Sequence, residues 1–397
     1  MTLSGPTGAD LFYTLDGSDP RLPGGGVSPS ALPYSGPVTL EGNTRLVARS
    51  RKLTHRNLTG GDGNPPLSTP WSGPAAATYV AATPPLVITE IHYHPEPPPG
   101  NAADAEAFEF IELRNRGTVP LDLPGFRFTA GVQFEFTPAH AVTRLAPGAF
   151  VVLVKNLAAF TSRYPGATNV AGEYTGSLDN AGERLALEGP LREPILDFAY
   201  DDAWFRITDG PGFSLVIRDD TGPLEAWAQA SGWRPSAHRG GSPGQTDPAP
   251  PVFPPVLINE ILTHTDPPLR DAVELFNPTA HPAELSGWFL TDNFASPRKF
   301  VFPPNSIVPP GGFLVLTEAD FNAGPNAFNF SALGEEVFLF SADGTELTGY
   351  VHGFEFGAAA NGVSFGRHVS STGREYCVAQ AYRSLGAPNA GPLLGPP

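Results

Sequence analysis

Glu90, His92 and His94 fall at alternate positions of an apolar stretch, so a strand there puts all three side chains on one face. One carboxylate and two imidazoles form a ligand set suited to Zn²⁺. The set lacks a fourth ligand, and Pro95 follows it at once. A solvated or edge-capping role is therefore the expectation, and no metal is assigned. Asp16 and Asp19 are a second candidate, for Ca²⁺, but a calcium loop takes about six to eight oxygens. Two carboxylates capping a tight turn through nearby backbone N–H groups explain the same spacing. Asp197, Asp201 and Asp202 form an acidic cluster, as do Glu335 and Glu336. Glycoside hydrolysis by paired carboxylates needs a cleft that holds them roughly 5–9.5 Å apart. Nothing marks such a cleft, so both clusters read as surface charge. Cys377 is the only cysteine, which excludes an intramolecular disulfide. It reads as a small core residue on a strand, without the electropositive partner that a thiolate nucleophile needs. No Gly-x-Ser-x-Gly, His-Glu-x-x-His, phosphate loop or dinucleotide fingerprint occurs. The chain is expected to be no enzyme and to carry no cofactor.

The elements that must position these residues are written twice. Ile88-Thr89-Glu90-Ile91 returns as Ile258-Asn259-Glu260-Ile261, and Phe110-Ile111-Glu112-Leu113-Arg114-Asn115 returns as Ala272-Val273-Glu274-Leu275-Phe276-Asn277. Leu123-Pro124-Gly125-Phe126 returns as Leu285-Ser286-Gly287-Trp288, and the Pro-Gly turn at Pro147 returns at Pro310, each before an apolar strand. In the second copy His92 is replaced by Leu262 and His94 by His264. Copies so far apart are domains rather than solenoid turns, whose period is roughly 20–50 residues. Glu112 and Glu274 are expected on the face opposite Ile111 and Leu113, or near an edge.

The chain has 397 residues, enough for two to four domains. Gly 44 and Pro 46 exceed ordinary usage, yet 41% of residues are hydrophobic, so the excess marks turns between short strands rather than disorder. No apolar stretch keeps helical spacing for three turns, and the expected class is all-β. A net charge of −16 argues against nucleic acid and against anionic lipid, since phosphate binding rests on Lys and Arg. The densest basic run, residues 45–56, is short. The longest apolar run, residues 149–154, falls far below the roughly 20 residues that span a bilayer.

Four segments are expected: residues 1–82, 86–246, a stiff Pro-rich linker at 247–255, and 256–392, with a loose tail over 393–397. In the first, strands are predicted at 10–15, 38–40, 45–49 and 76–80, with a long loop over 60–66. Thr2-Leu3-Ser4 reads as mid-strand and no signal peptide precedes it, so the chain is expected to begin after its true start. Tyr13-Thr14-Leu15-Asp16-Gly17-Ser18-Asp19-Pro20, with Tyr34-Ser35-Gly36-Pro37 and Thr44-Arg45-Leu46-Val47, resembles the immunoglobulin-like C-terminal domain of chitobiases and β-hexosaminidases. That resemblance implies an accessory sandwich without catalytic residues.

The repeated segments resemble lamin-tail domains. The resemblance rests on the Ile-x-Glu-Ile strands, the Phe110 and Val273 strands, Gly287-Trp288-Phe289-Leu290, and the Pro-Gly turns. It extends to Gly182-Glu183-Arg184-Leu185, Gly334-Glu335-Glu336-Val337, and the closing turns Ser242-Pro243-Gly244 and Ala387-Pro388-Asn389. It implies tandem immunoglobulin-like β-sandwiches joined by Pro-rich linkers, in a bacterial extracellular or cell-surface protein that binds or spaces. Its implied partners are proteins or polysaccharide at the cell surface. Trp204, Trp227, Trp233 and Trp288 are expected as packing anchors. Exposed Trp71, Tyr79 or Trp233 are the candidates for direct polysaccharide contact. The resemblance leaves open that the modules serve a spore-coat-type kinase or nuclease whose catalytic domain lies upstream.

Overall fold

The computed structural model describes residues 1–54, 69–98, 100 and 104–394. The predicted loop 60–66, the end of the basic run and residues 395–397 of the predicted tail lie outside the described residues. The described chain is nearly all β. Its contacts group into two compact units, the first made of Met1–Thr89, Phe110–Asp201 and Ile217–Gly232, the second of Glu90–Glu109, Asp202–Val216 and Trp233–Pro397.

The chain opens with a four-stranded antiparallel sheet in the order Leu32–Pro33, Asp10–Thr14, Thr44–Arg51, Ala75–Tyr79. Alternation along the strands turns Tyr13, Leu46 and Ala48 into a small core, with Met1, Leu3, Leu15, Tyr34 and Val38 packed on it. Two predicted strands are absent. Residues 2–4 and 38–40 form no ladder; one reciprocal pair of 2.9 Å bonds joins Met1 to Val38.

The repeat in the sequence is a repeat in topology. One sheet runs Val170–Glu173, Phe150–Val154, Phe110–Asn115, Leu86–His92, Leu215–Ile217, Trp233–Pro235. Its counterpart runs Phe313–Thr317, Ala272–Phe276, Leu257–Leu262, Ser364–Val369, Glu375–Ala379, the same order without the first strand. The second sheet of each copy also corresponds: Pro194–Ala199, Arg184–Glu188, Arg127–Ala130 against Glu346–Gly357, Gly334–Asp343, Phe289–Thr291, the latter with Phe300–Val301 added. In the second copy one core joins both sheets, with Ile258, Ile261, Val273 and Leu275 from one and Leu290, Val337, Leu339 and Phe356 from the other. That is a β-sandwich of the immunoglobulin type.

Strand Gly334–Asp343 is buried on both faces, which explains the unbroken apolar run Val337-Phe338-Leu339-Phe340. Val337 and Leu339 enter the sandwich core. Phe338 and Phe340 point the other way, into a separate cluster with Phe289, Leu347, Ile207 and Phe213. Residues 202–216, which precede the Pro-rich segment, thus cover the outer sheet face of the copy that follows it.

Two short helices escaped the periodicity reading. Leu157–Arg163 and Glu318–Phe321 follow corresponding strands, and each buries one aromatic, Phe160 or Phe321. Their start signals are local: Asn156 Oδ1 accepts from the Ala159 N–H at 2.9 Å, and Thr317 with Asp320 forms a capping box. Asn156→Ala is expected to cost about 1 kcal/mol in a urea denaturation series. The predicted linker is also shorter than expected at its start. Asp247 is 8% exposed and accepts from Arg234 Nη1 at 2.5 Å and the Ala237 N–H at 3.0 Å, so it belongs to the closing turn. Leu393, assigned to the loose tail, donates to the Ala379 carbonyl at 2.7 Å.

Candidate functional site

The polar residues that recur in both copies lie inside the fold. Glu90, 1% exposed, sits centrally in strand Leu86–His92 and accepts from Ser214 Oγ at 2.5 Å and the Ser242 N–H at 3.0 Å, both through Oε1. Glu260, 0% exposed, accepts from Ser364 Oγ at 2.5 Å and the Ser384 N–H at 2.9 Å through Oε1, and from Ser384 Oγ at 2.7 Å through Oε2. Each glutamate fastens the chain's return across the sandwich to the first strand. These bonds place Ser384 opposite Ser242, three residues ahead of the Ala387 that the Pro-containing turns suggested. Gly241 completes the first clasp: at φ +70° a Cβ would lie 1.8 Å from Glu90 Oε1, so only glycine lets the turn close.

Glu112 and Glu274 were expected on the face opposite Ile111 and Leu113 or near an edge; both are buried. The opposite face of their strands is covered too, and each carboxylate is occupied. Thr89 Oγ1 donates to Glu112 at 2.6 Å, Asn259 Nδ2 donates to Glu274 at 2.7 Å, and the Gly386 N–H donates to Glu274. Asn115 and Asn277 repeat as well, each donating to the carbonyl four residues on, Val119 at 2.9 Å and His281 at 2.7 Å. The duplicated polar set is a set of fasteners.

The first clasp differs from the second in one respect. Ser242 Oγ donates to Asp247 at 2.8 Å instead of to the glutamate. Burial, with Asp247 nearby, pushes the Glu90 carboxyl up to about 8, against the lowering pull of the Ser214 and Ser242 bonds.

Of the candidate metal ligands, strand Leu86–His92 holds Glu90 and His92. His92 is buried within the strand, and His94 lies beyond it with Nδ1 2.5 Å from Asp209 Oδ1. Among the described residues no group of three or more His, Cys, Asp or Glu side chains is arranged to hold a metal. Asp16 accepts from the Ser18 N–H at 2.9 Å, and Asp19 accepts from the Arg21 N–H at 2.9 Å and takes both arms of Arg49 at 2.7 and 2.6 Å. Asp197 is bidentate with Arg184, at 2.6 and 2.7 Å, while Asp202 opens the short turn Asp202–Trp204. Glu335 and Glu336 accept backbone N–H groups of Ser331 and Phe294 at 2.8 and 2.5 Å. Cys377 is half-buried against the second core, and burial pushes its thiol up, away from thiolate chemistry.

Two of the three predicted exposed aromatics are core residues. Trp71 is 5% exposed, because its Nε1 reaches the Gly25 carbonyl at 2.8 Å and Phe12 packs on its ring at 5.5 Å. Trp233 is 0% exposed on an outer strand of its sheet, with Trp204 packed 6.4 Å away. Only Tyr79 of the three stays exposed.

Sequence reasoning missed a cleft of about 340 Å³ inside the second unit. Residues 204–207 and Pro235 form one wall; Phe338, residues 349–353 and Glu375 form the other. The geometry carries aromatic faces beside paired charges. Trp204, Phe205 and Tyr350 are half-buried. Arg206 pairs with Glu355 at 2.9 Å, and its guanidinium lies 5.2 Å over the Phe338 ring. Glu375 accepts from Arg367 Nε at 2.8 Å and faces His352 Nε2 at 3.4 Å; these neighbours hold its carboxyl down to about 2. His352 Nδ1 accepts the Ile258 N–H at 2.9 Å, which fixes the tautomer with hydrogen on Nε2. Tyr350, the one hydroxyl-bearing residue of the lining, is committed elsewhere, its hydroxyl donating to the Val256 carbonyl at 2.8 Å.

Comparison with protein families gives two findings. The model of the lamin tail domain matches residues 80–195 and 250–353, and that of the Fn3 associated domain matches residues 1–57. No curated protein and no solved structure matches the chain.

Proposed function

The chain belongs to the lamin tail domain family, and from that premise we propose that it is a non-catalytic array of immunoglobulin-like modules that binds and spaces outside the cell. One observation carries the reading: the repeated pairs Glu90 and Glu260, Glu112 and Glu274, and Asn115 and Asn277 are buried and hydrogen-bonded inside the fold. What remains for function is the outer surface, which in such folds recognises partners. The net charge of −16 favours protein or neutral polysaccharide partners over nucleic acid, whose phosphates it repels. Among the described residues no helix is long and apolar enough to cross a membrane.

Protease shaving of intact source cells, followed by detection of this chain's peptides, tests the placement. Release of its peptides without loss of a cytoplasmic marker is the expected result. Complete protection until the cells are lysed overturns it. Incubation of purified chain with isolated cell envelopes is expected to co-sediment it saturably.

A further inference from the structure

We propose that the cleft walled by Trp204, Phe205 and Arg206 and by Tyr350, His352 and Glu375 is a binding site for a neutral saccharide of one or two pyranose rings. The proposal rests on the binding reading above and names its ligand class and site. Three observations lead to it. Aromatic and polar residues share one concave surface: Trp204 and Phe205 are half-buried on one side, Tyr350 on the other, and Arg206 and Glu375 supply donors and an acceptor, with His352 holding Glu375 in place. A pyranose has that double character, with C–H faces that rest on aromatic rings and a rim of hydroxyls that need partners.

The second observation is charge. Arg206 is matched by Glu355, and Glu375 by Arg367 and His352. A charged ligand would have to break one of these pairs, whereas hydroxyls can add to them through lone pairs and N–H groups still available. The third is size. A volume of about 340 Å³ lies near the lower end of small-molecule sites, which run roughly 300–1,000 Å³.

Titration of the full chain with neutral chito-, cello- and xylotriose, followed by tryptophan fluorescence and calorimetry, tests the assignment. Trp204 is half-buried, while Trp71, Trp227, Trp233 and Trp288 are buried, so a bound sugar is expected to change mainly the Trp204 signal. At least one trisaccharide is expected to saturate the protein, and Trp204→Ala is expected to weaken binding about tenfold or more. Glu375→Gln keeps the side-chain shape and is expected to weaken binding without removing the fluorescence change, which decides the matter should Trp204→Ala fail to fold.

No saturation by any of the three sugars overturns the saccharide site. So does binding that both variants leave intact, or saturation of the cleft by uncharged peptides instead. In each of those cases envelope co-sedimentation can persist, so the wider binding reading survives. Loss of co-sedimentation itself defeats that reading.

Discussion

Glu260→Ala is expected to destabilise the second repeat by about 4 kcal/mol, among the largest effects available to a single substitution. The carboxylate receives the Ser364 hydroxyl, the Ser384 hydroxyl and the Ser384 N–H inside a fully buried site. Alanine leaves all three donors without an acceptor, at about 1–3 kcal/mol each before relaxation. It also unhooks the chain's return to the central strand Leu257–Leu262. Glu260→Gln is expected to recover part of the loss, because its amide oxygen can keep the Ser364 hydroxyl and the Ser384 N–H while its NH₂ meets the Ser384 hydroxyl, which can turn to accept it. Urea denaturation read by tryptophan fluorescence checks both variants. A loss below about 1 kcal/mol for the alanine variant would mean that water replaces the carboxylate and that the clasp is dispensable.

The second large effect is a pH dependence centred on Glu90. Its folded carboxyl, pushed up to about 8, lies above the ordinary value of 4.5, so the folded state holds a proton that the unfolded chain releases. Stability from this group is fully present below about pH 4.5 and is lost as pH rises through about 8. The steepest loss is about 1.4 kcal/mol per pH unit. Denaturation midpoints are expected to fall between pH 5 and pH 8.5 in wild type, and to flatten in Glu90→Gln. Here the amide is tolerated, because Ser214 and Ser242 both address Oε1 and leave Oε2 the less committed oxygen. Asp247→Asn removes the neighbouring negative charge and is expected to move the transition to lower pH. Arg234 is the opposing charge beside the pair, and a slope unchanged by either variant would assign the titration elsewhere.

The same glutamates show how much the sequence disclosed. Their recurrence in Ile-x-Glu-Ile, with the two Pro-Gly turns and the Phe110 and Val273 strands, was enough for the duplication and for the lamin-tail resemblance that implied the immunoglobulin-like sandwich, while composition and the missing helical spacing gave the all-β class. Their environment was not legible, because period-2 alternation says which face a side chain takes and nothing of what covers that face. Glu112 and Glu274 were placed on the face opposite Ile111 and Leu113 or near an edge, and nothing in the alternation said that this face is buried too. The partners Ser214, Ser242, Ser364 and Ser384 lie about 100 or more residues away along the chain, where serine carries no signal of its own. A signal did exist for the short helices: Asn156 and Thr317 each stand four residues ahead of a phenylalanine in both copies. The burial of Trp71 and Trp233 was missed for a related reason, since composition cannot separate a tryptophan that plugs a sheet from one that faces water.

Ile207 and Phe213 lie on the Phe289, Phe338, Phe340 and Leu347 face of the second sandwich, and this bears on how such a chain could be recombined. A gene fusion cut at the Pro-rich segment would export residues 256–392 as a cassette with four large apolar side chains stripped of their cover. Such a cassette is prone to self-association through that sheet face. The heritable unit is longer than the repeat, and its upstream border falls ahead of residue 202.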